Sequence, residues 1–188
     1  GVSRSTAPRL RNGPAVQSRP SSNIVRVGAV HSSGALLRCG LLDLETGARI
    51  ASLGVENPQV AWGADLISRI NHAMHGAAAA AELQHAAVEA INALGHDLCH
   101  AAQAVATDIV DVVICGNTAM HHLLLGLPVR QLGRAPFVAA HCAPQEHKAR
   151  ELGLHLAGGA VVHLAGNVGG FVGGDHVGNG QAAGCEQQ

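Results

Sequence analysis

A short turn near the middle of the sequence carries residue types that suit anion binding. Gly116, Asn117 and Thr118 follow a β-branched run at residues 108–115 and precede an apolar segment with helical spacing. Where a strand ends and a helix begins, free backbone N–H groups and the positive helix end favour a negatively charged ligand. Asn117 cannot accept a proton, but its amide can orient a water molecule or a phosphate. Alternatively, Asn117 only tolerates a tight turn and Thr118 caps the helix.

A glycine-rich segment after residues 160–164 is the second candidate. Residues 167–175 read NVGGFVGGD, in which Gly173 and Gly174 can let the backbone approach a phosphate. Asp175 can then face a metal-bound nucleotide. Glycine permits bending as readily as close approach, so the same residues also suit a hinge between two lobes, the interpretation that we favour.

Thirteen histidines raise the question of a metal site. His96, Cys99 and His100 lie within one helical turn, and His96 and His100 share a face as a zinc pair would. We place these residues on the polar side of a helix, without a distant third ligand, and therefore predict no metal site. His121 and His122 are adjacent and cannot easily face one ion, so packing is the expected role of at least one.

Periodicity predicts an α/β fold with a mixed sheet flanked by helices. The long helix has an apolar stripe made of Leu83, Ala87, Ile91, Leu94, Leu98, Ala101 and Val105. Asp108 begins a buried, parallel strand, and Thr118 begins a helix that runs to Leu125. The other predicted elements are strands at 35–44, 48–55 and 160–164 and helices at 66–74, 78–105 and 145–152.

Composition limits the classes of partner and the compartment. A formal charge of −1 gives no electrostatic reason to expect nucleic-acid binding. No apolar run reaches the roughly 20 residues that a membrane span needs. Five scattered cysteines are typical of a reducing compartment, so a cytoplasmic protein is expected. Residues 1–23 lack an apolar period and are predicted to be a disordered tail. A transit peptide or a segment translated out of frame is an alternative for that tail.

Three stretches of the chain resemble a known family. They are residues 57–70 (NPQVAWGADLISRI), 116–137 (GNTAMHHLLLGLPVRQLGRAPF) and 167–175, supported by LDLETG at residues 42–47. Together they look like the ATPase domain of reductive activators of corrinoid iron–sulfur proteins and corrinoid methyltransferases. The resemblance extends from about residue 40 to residue 175.

The resemblance implies the ribonuclease-H-like lobe of an actin-like ATPase over residues 24–175, followed by a disordered or truncated tail at 176–188. It implies ATP and magnesium as cofactors, and a [2Fe–2S] cluster in a domain that these residues do not include. The implied partner is a corrinoid protein or corrinoid methyltransferase whose cob(II)alamin is reduced. A homodimer is a further possibility. In related sugar kinases a similar turn holds an aspartate base, so Asn117 occupies the catalytic position.

One departure from the family pattern puts activity in doubt. Relatives carry the phosphate-binding turn Asp-Ile-Gly-Thr-Thr-Thr, where residues 31–36 here read His-Ser-Ser-Gly-Ala-Leu. The donors of the second lobe are also missing from these residues. We therefore expect a partial ATPase domain that is inactive alone. The alternatives are a non-catalytic module that binds the partner and a truncated or mistranslated fragment.

Overall fold

The computed structural model describes residues 25–32 and 35–170, with side chains from residue 35 onward. The predicted tails at 1–23 and 176–188 lie outside these ranges, and so do Gly173, Gly174 and Asp175. The other site candidates, at residues 116–118, lie within the described part of the chain.

A six-stranded mixed sheet is the scaffold of the described residues. Its strands are β1 Val25–Ser32, β2 Leu36–Asp43, β3 Arg49–Glu56, β4 Ile109–Cys115, β5 Gln145–Lys148 and β6 Val161–Leu164. They lie in the order β3-β2-β1-β4-β6-β5, with β4 parallel to both β1 and β6 and the other pairs antiparallel. The predicted α/β class, the β2–β3 hairpin and the parallel strand β4 are confirmed.

The turn between β2 and β3 forms where its residue types predicted it. The Asp43 carboxylate accepts hydrogen bonds from the backbone N–H groups of Glu45 (2.8 Å) and Thr46 (2.9 Å). These bonds, that from Thr46 first, hold the pKa of Asp43 below its usual value. Gly47 has a φ of +72°, which glycine adopts without steric cost. Local turn chemistry is thus sufficient to place this hairpin.

Three helices follow β3 along the described chain: α1 Leu66–Ala73 and α2 Ala77–Ala101 lie between β3 and β4, and α3 Thr118–Leu124 lies between β4 and β5. Short 3₁₀ turns lie at Pro58–Trp62, Ala106–Asp108 and Ala149–Leu152. The Asp65 side chain caps α1 by accepting a hydrogen bond from the N–H of Ser68 (2.7 Å).

The main core lies between α2 and the sheet. Leu94 and Leu98 of α2 are almost fully buried, together with Leu41 of β2, Ile109 of β4 and Val162 of β6. Each such side chain contributes about 1.5–3 kcal/mol by leaving water. The predicted stripe is therefore confirmed from Leu83 to Leu98.

The end of α2 was predicted wrongly. The helix stops at Ala101 and not at residue 105, because Gln103 adopts a left-handed φ of +54° that a helix cannot continue through. Ala101, the last residue of the helix, and Val105 beyond it are exposed. Cys99 was also misplaced, since it is buried in the core whereas His96 and His100 are exposed.

The predicted helix at residues 145–152 is also wrong. Residues Gln145–Lys148 form the strand β5, and only Ala149–Leu152 form a 3₁₀ turn. β5 pairs antiparallel with β6, so its backbone groups are satisfied by the sheet edge and not by a helix. A four-residue strand is too short for its side-chain pattern to reveal this.

Changing Leu94 to Asp is expected to lower the free energy of unfolding by about 4 kcal/mol or more, because a carboxylate would be left unpaired in the core. Leu94 is 2% exposed. Urea unfolding followed by circular dichroism measures the loss.

His96→Asp is the matched control, because His96 lies two residues after Leu94 on the solvent-facing side of α2. The His96 side chain is 80% exposed, so this variant should change stability by about 0.5 kcal/mol or less. Equal losses for the two variants would contradict the assigned faces of α2.

Candidate functional site

Two turns follow neighbouring parallel strands at one edge of the sheet. β4 is followed by Gly116, Asn117 and Thr118, and β6 is followed by residues 165–170. The N–H of Ala165 donates to the carbonyl oxygen of Ile114 (3.1 Å), which continues the strand pairing up to the turns. Carboxyl ends of parallel strands are where open α/β sheets bind ligands.

Asn117, and not Thr118, caps α3. The Asn117 side-chain oxygen accepts the N–H of Met120 (3.0 Å), and its backbone is extended, with φ −70° and ψ 163°. The expectation that Thr118 caps the helix is therefore wrong. The Thr118 hydroxyl instead donates to the carbonyl oxygen of Gly169 (2.5 Å), which joins the two turns. Because the cap occupies the N–H of Met120, that group is not available to an anion.

His122 holds a long loop against α3. Its Nδ1 lies 2.7 Å from the carbonyl oxygen of Thr118, and its Nε2 accepts the N–H groups of Ala140 (3.0 Å) and His141 (3.3 Å). A carbonyl can only accept and an N–H can only donate, so His122 is the neutral Nδ1–H tautomer. Burial lowers the pKa of His122, in agreement with that tautomer. His122 thus has a structural role, as was expected for at least one of the pair.

His121 is buried without a hydrogen bond. Neither ring nitrogen has a partner among the described residues, and the side chain lines a cavity of about 30 Å³ with Cys115 and Gly116. Burial, and then the neighbouring His122 and His141, lower the pKa of His121 to about 4. His121 is therefore neutral near pH 7. The periodicity of the sequence could not predict that both ring nitrogens would lack a hydrogen-bond partner.

Arg69 connects α1 to α3, the helix that follows the Gly116–Thr118 turn. The side chain is fully buried, its Nε donates to the carbonyl oxygen of Gly63 (2.9 Å), and its Nη1 lies 3.8 Å from the Sδ of Met120. Burial lowers the pKa of Arg69. The residue was not singled out from the sequence, although it lies in one of the stretches that carry the resemblance.

Asn167 is the second asparagine at this edge. Its backbone N–H donates to the carbonyl oxygen of Cys142 (2.8 Å), and the residue is 9% exposed. Within residues 35–170, the Asn167 Nδ2 has no hydrogen-bond partner. The sequence placed Asn167 in the resembling stretch but assigned it no role.

Metal-ligating residues do not gather in the described ranges. Groups of three or more His, Cys, Asp or Glu side chains that could hold an ion are not found there. Nor does any helix of residues 25–32 and 35–170 have the length and apolar character to cross a membrane.

Comparison with known proteins places the chain. A family model described as the RACo middle region matches residues 34–188. The chain belongs to this family.

Two relatives are much longer than this chain. The corrinoid activation enzyme RamQ of Eubacterium limosum is 32% identical over 135 residues, which cover 72% of this chain and 23% of RamQ. A solved structure named as a reductive activator for corrinoid, iron–sulfur protein matches with a TM-score of 0.74 and 28% identity. That match covers 82% of this chain and 24% of the solved one. The chain therefore spans about a quarter of the length of these relatives.

Changing His121 to Leu is expected to flatten the acid side of the pH–stability profile. An unfolded imidazole titrates near pH 6.5, whereas the pKa of His121 in the folded chain is about 4. The unfolded state therefore takes up a proton that the folded state refuses, and stability falls between these values by up to about 3 kcal/mol. Urea unfolding at about pH 7.5 and about pH 5 measures the fall in both proteins.

The matched control is His85→Leu, because His85 is exposed on α2. It should keep the acid-side loss of the parent protein. A His121→Leu variant with the same pH profile as the parent would show that His121 is not a neutral buried group.

Proposed function

We propose that residues 24–175 form the ribonuclease-H-like lobe of an actin-like ATPase, within an ATP-dependent reductive activator of corrinoid proteins. In this proposal the lobe supplies one wall of a nucleotide cleft, and Asn117 orients a water molecule or a phosphate there. The other residues around the phosphates are Gly116, Thr118, Gly173, Gly174 and Asp175. The lobe does not hydrolyse ATP by itself.

The position of three turns carries the proposal. Val30 of β1 pairs with Cys115 of β4, and Ile114 of β4 pairs with Leu164 of β6. Because β1 and β4 are parallel, the end of β1 at Ser32 and the start of β2 at Leu36, which flank the hairpin tip, lie at the same edge as both site turns. In the family pattern, that hairpin tip is where the phosphate-binding turn occurs. One edge thus gathers the segments that a nucleotide cleft needs.

The residues at this edge fit a phosphate better than they fit magnesium. Asn167 has an amide N–H group without a described partner, and such a donor suits an anionic oxygen. Magnesium requires oxygen ligands in octahedral geometry, often including carboxylates. The described residues of the three turns contain no Asp or Glu. ATP with magnesium would supply the phosphoryl group, and the chain's own part is to bind and orient it.

The relatives support the choice of partner. RamQ is named a corrinoid activation enzyme, and the solved structure is named a reductive activator for a corrinoid, iron–sulfur protein. We therefore propose a corrinoid protein or corrinoid methyltransferase as partner. The electron would come from a [2Fe–2S] cluster in another domain.

One observation favours a second candidate function. The hairpin tip has His31 in place of the aspartate of the family pattern and Ser33 in place of its glycine. A lobe that had lost nucleotide turnover but kept its surface would act as a non-catalytic module that binds the partner. Nucleotide binding by the chain separates the two candidates.

The purified 188-residue protein is expected to show no magnesium-dependent ATP hydrolysis and no ATP-dependent reduction of cob(II)alamin above background. Each missing phosphate-stabilising donor costs about 10²–10³ in rate. Weak ADP affinity, at about the millimolar level, should remain. Phosphate release, cob(II)alamin absorbance and an ADP titration provide the measurements.

Asn117 variants test for hidden activity. Asn117→Asp keeps an oxygen that can cap α3, whereas Asn117→Ala loses the cap and should cost about 1 kcal/mol. ATP turnover by the parent protein that both variants abolish would overturn the one-wall proposal. Absence of any ADP binding would favour the non-catalytic module.

A further inference from the structure

The amide of Asn167 is anomalous for a buried group. More than nine-tenths of the residue is shielded from water, and its Nδ2 makes no hydrogen bond within residues 35–170. Buried amides in folded proteins nearly always find a partner, because an unmade bond is costly. An unpartnered donor that a fold retains is therefore a candidate for contact with a ligand.

Backbone contacts fix Asn167 in place. Its N–H is held by the carbonyl oxygen of Cys142, and the segment just beyond is tied to α3 by the bond from Thr118 to Gly169. At Gly170 a Cβ would overlap the carbonyl oxygen of Phe137, so this contact leaves no room for a side chain. The backbone is thus held at Asn167 itself and at the residues that follow it.

Asn167 also sits beside the proposed phosphate turn. Ala165, two residues earlier, pairs with Ile114, which is three residues before Asn117. Asn117 spends its own side-chain oxygen on the cap of α3. Asn167 adds a second amide at this edge, and its Nδ2 is fully buried without a hydrogen-bond partner within residues 35–170.

We propose that Asn167 is a ligand-binding residue, whose Nδ2 donates a hydrogen bond to a phosphate oxygen of the bound nucleotide. This inference rests on the proposed function and assigns a contact that the site candidates at 116–118 do not include. A neutral amide that donates to an anionic oxygen forms one of the stronger hydrogen bonds of such a site.

Asn167→Leu and Asn92→Leu form a matched pair for the test. Asn92 uses both ends of its amide, donating to the carbonyl oxygen of Gly153 (3.0 Å) and accepting the N–H of His155 (3.0 Å). Asn92→Leu should lower the melting temperature and leave ADP affinity unchanged. Asn167→Leu should keep or raise the melting temperature and weaken ADP binding by about 10–100-fold, as expected for one bond to a charged group.

The experiment is an NMR titration of the ¹⁵N-labelled 188-residue protein and both variants with ADP, inorganic triphosphate and adenosine in turn. The side-chain amide signals of Asn167 should shift with ADP and with triphosphate but not with adenosine. Thermal unfolding of the same samples supplies the stability comparison.

Three results would overturn the inference, and they are distinguishable. Wild-type ADP binding that Asn167→Leu leaves intact removes Asn167 from the site but retains the proposed function. An Asn167 amide that is already protected from exchange without ligand shows that a segment outside the described residues is its partner. A wild-type protein whose spectrum does not respond to ADP at all removes the inference together with the nucleotide site.

Discussion

Parallel pairing of β4 with β1 and β6 is the interaction on which the candidate site depends. In a parallel arrangement the carboxyl ends of neighbouring strands lie at the same edge, so the turns that follow them meet. Antiparallel pairing would send alternate turns to opposite edges. The helix α2 stabilises this arrangement, because its apolar stripe covers β2, β4 and β6 on one face.

Neutral hydrogen bonds, and not ion pairs, hold the turns together at that edge. Asn117 caps α3, Thr118 reaches the second turn, and His122 joins α3 to the loop before β5. Burial keeps His122 uncharged, which allows its Nε2 to accept two N–H groups. A buried charge at this position would lose that acceptor and would need a counterion. Protonation of His122 in acid would therefore break the two hydrogen bonds that its Nε2 accepts.

The chain spans about a quarter of the length of the relatives it matches, and the proposed function makes its site one wall of a larger cleft. The edge described here has donors for a phosphate but no carboxylate in the described residues of its turns. Under the proposed function the nucleotide lies between two lobes, and this lobe orients the nucleotide without hydrolysing it.

Local patterns in the sequence were enough for the β2–β3 turn, for most of α2 and for β4. Asp43 and Gly47 determine the turn through their own side-chain and backbone chemistry, and the stripe from Leu83 to Leu98 determines the buried face of α2. The resemblance likewise identified the family, because long motifs can be recognised from the order of their residues without knowledge of the fold.

Tertiary contacts decided the rest. The strand at β5 exists because β6 offers it a pairing edge, and α2 ends early because Gln103 adopts a left-handed conformation. The isolation of His121 and the unpartnered amide of Asn167 depend on which side chains surround them. Those neighbours are distant along the chain, so spacing and composition cannot report them. The sequence thus determined the family and the elements with strong local patterns, whereas packing determined β5 and which buried polar groups have no partner among the described residues.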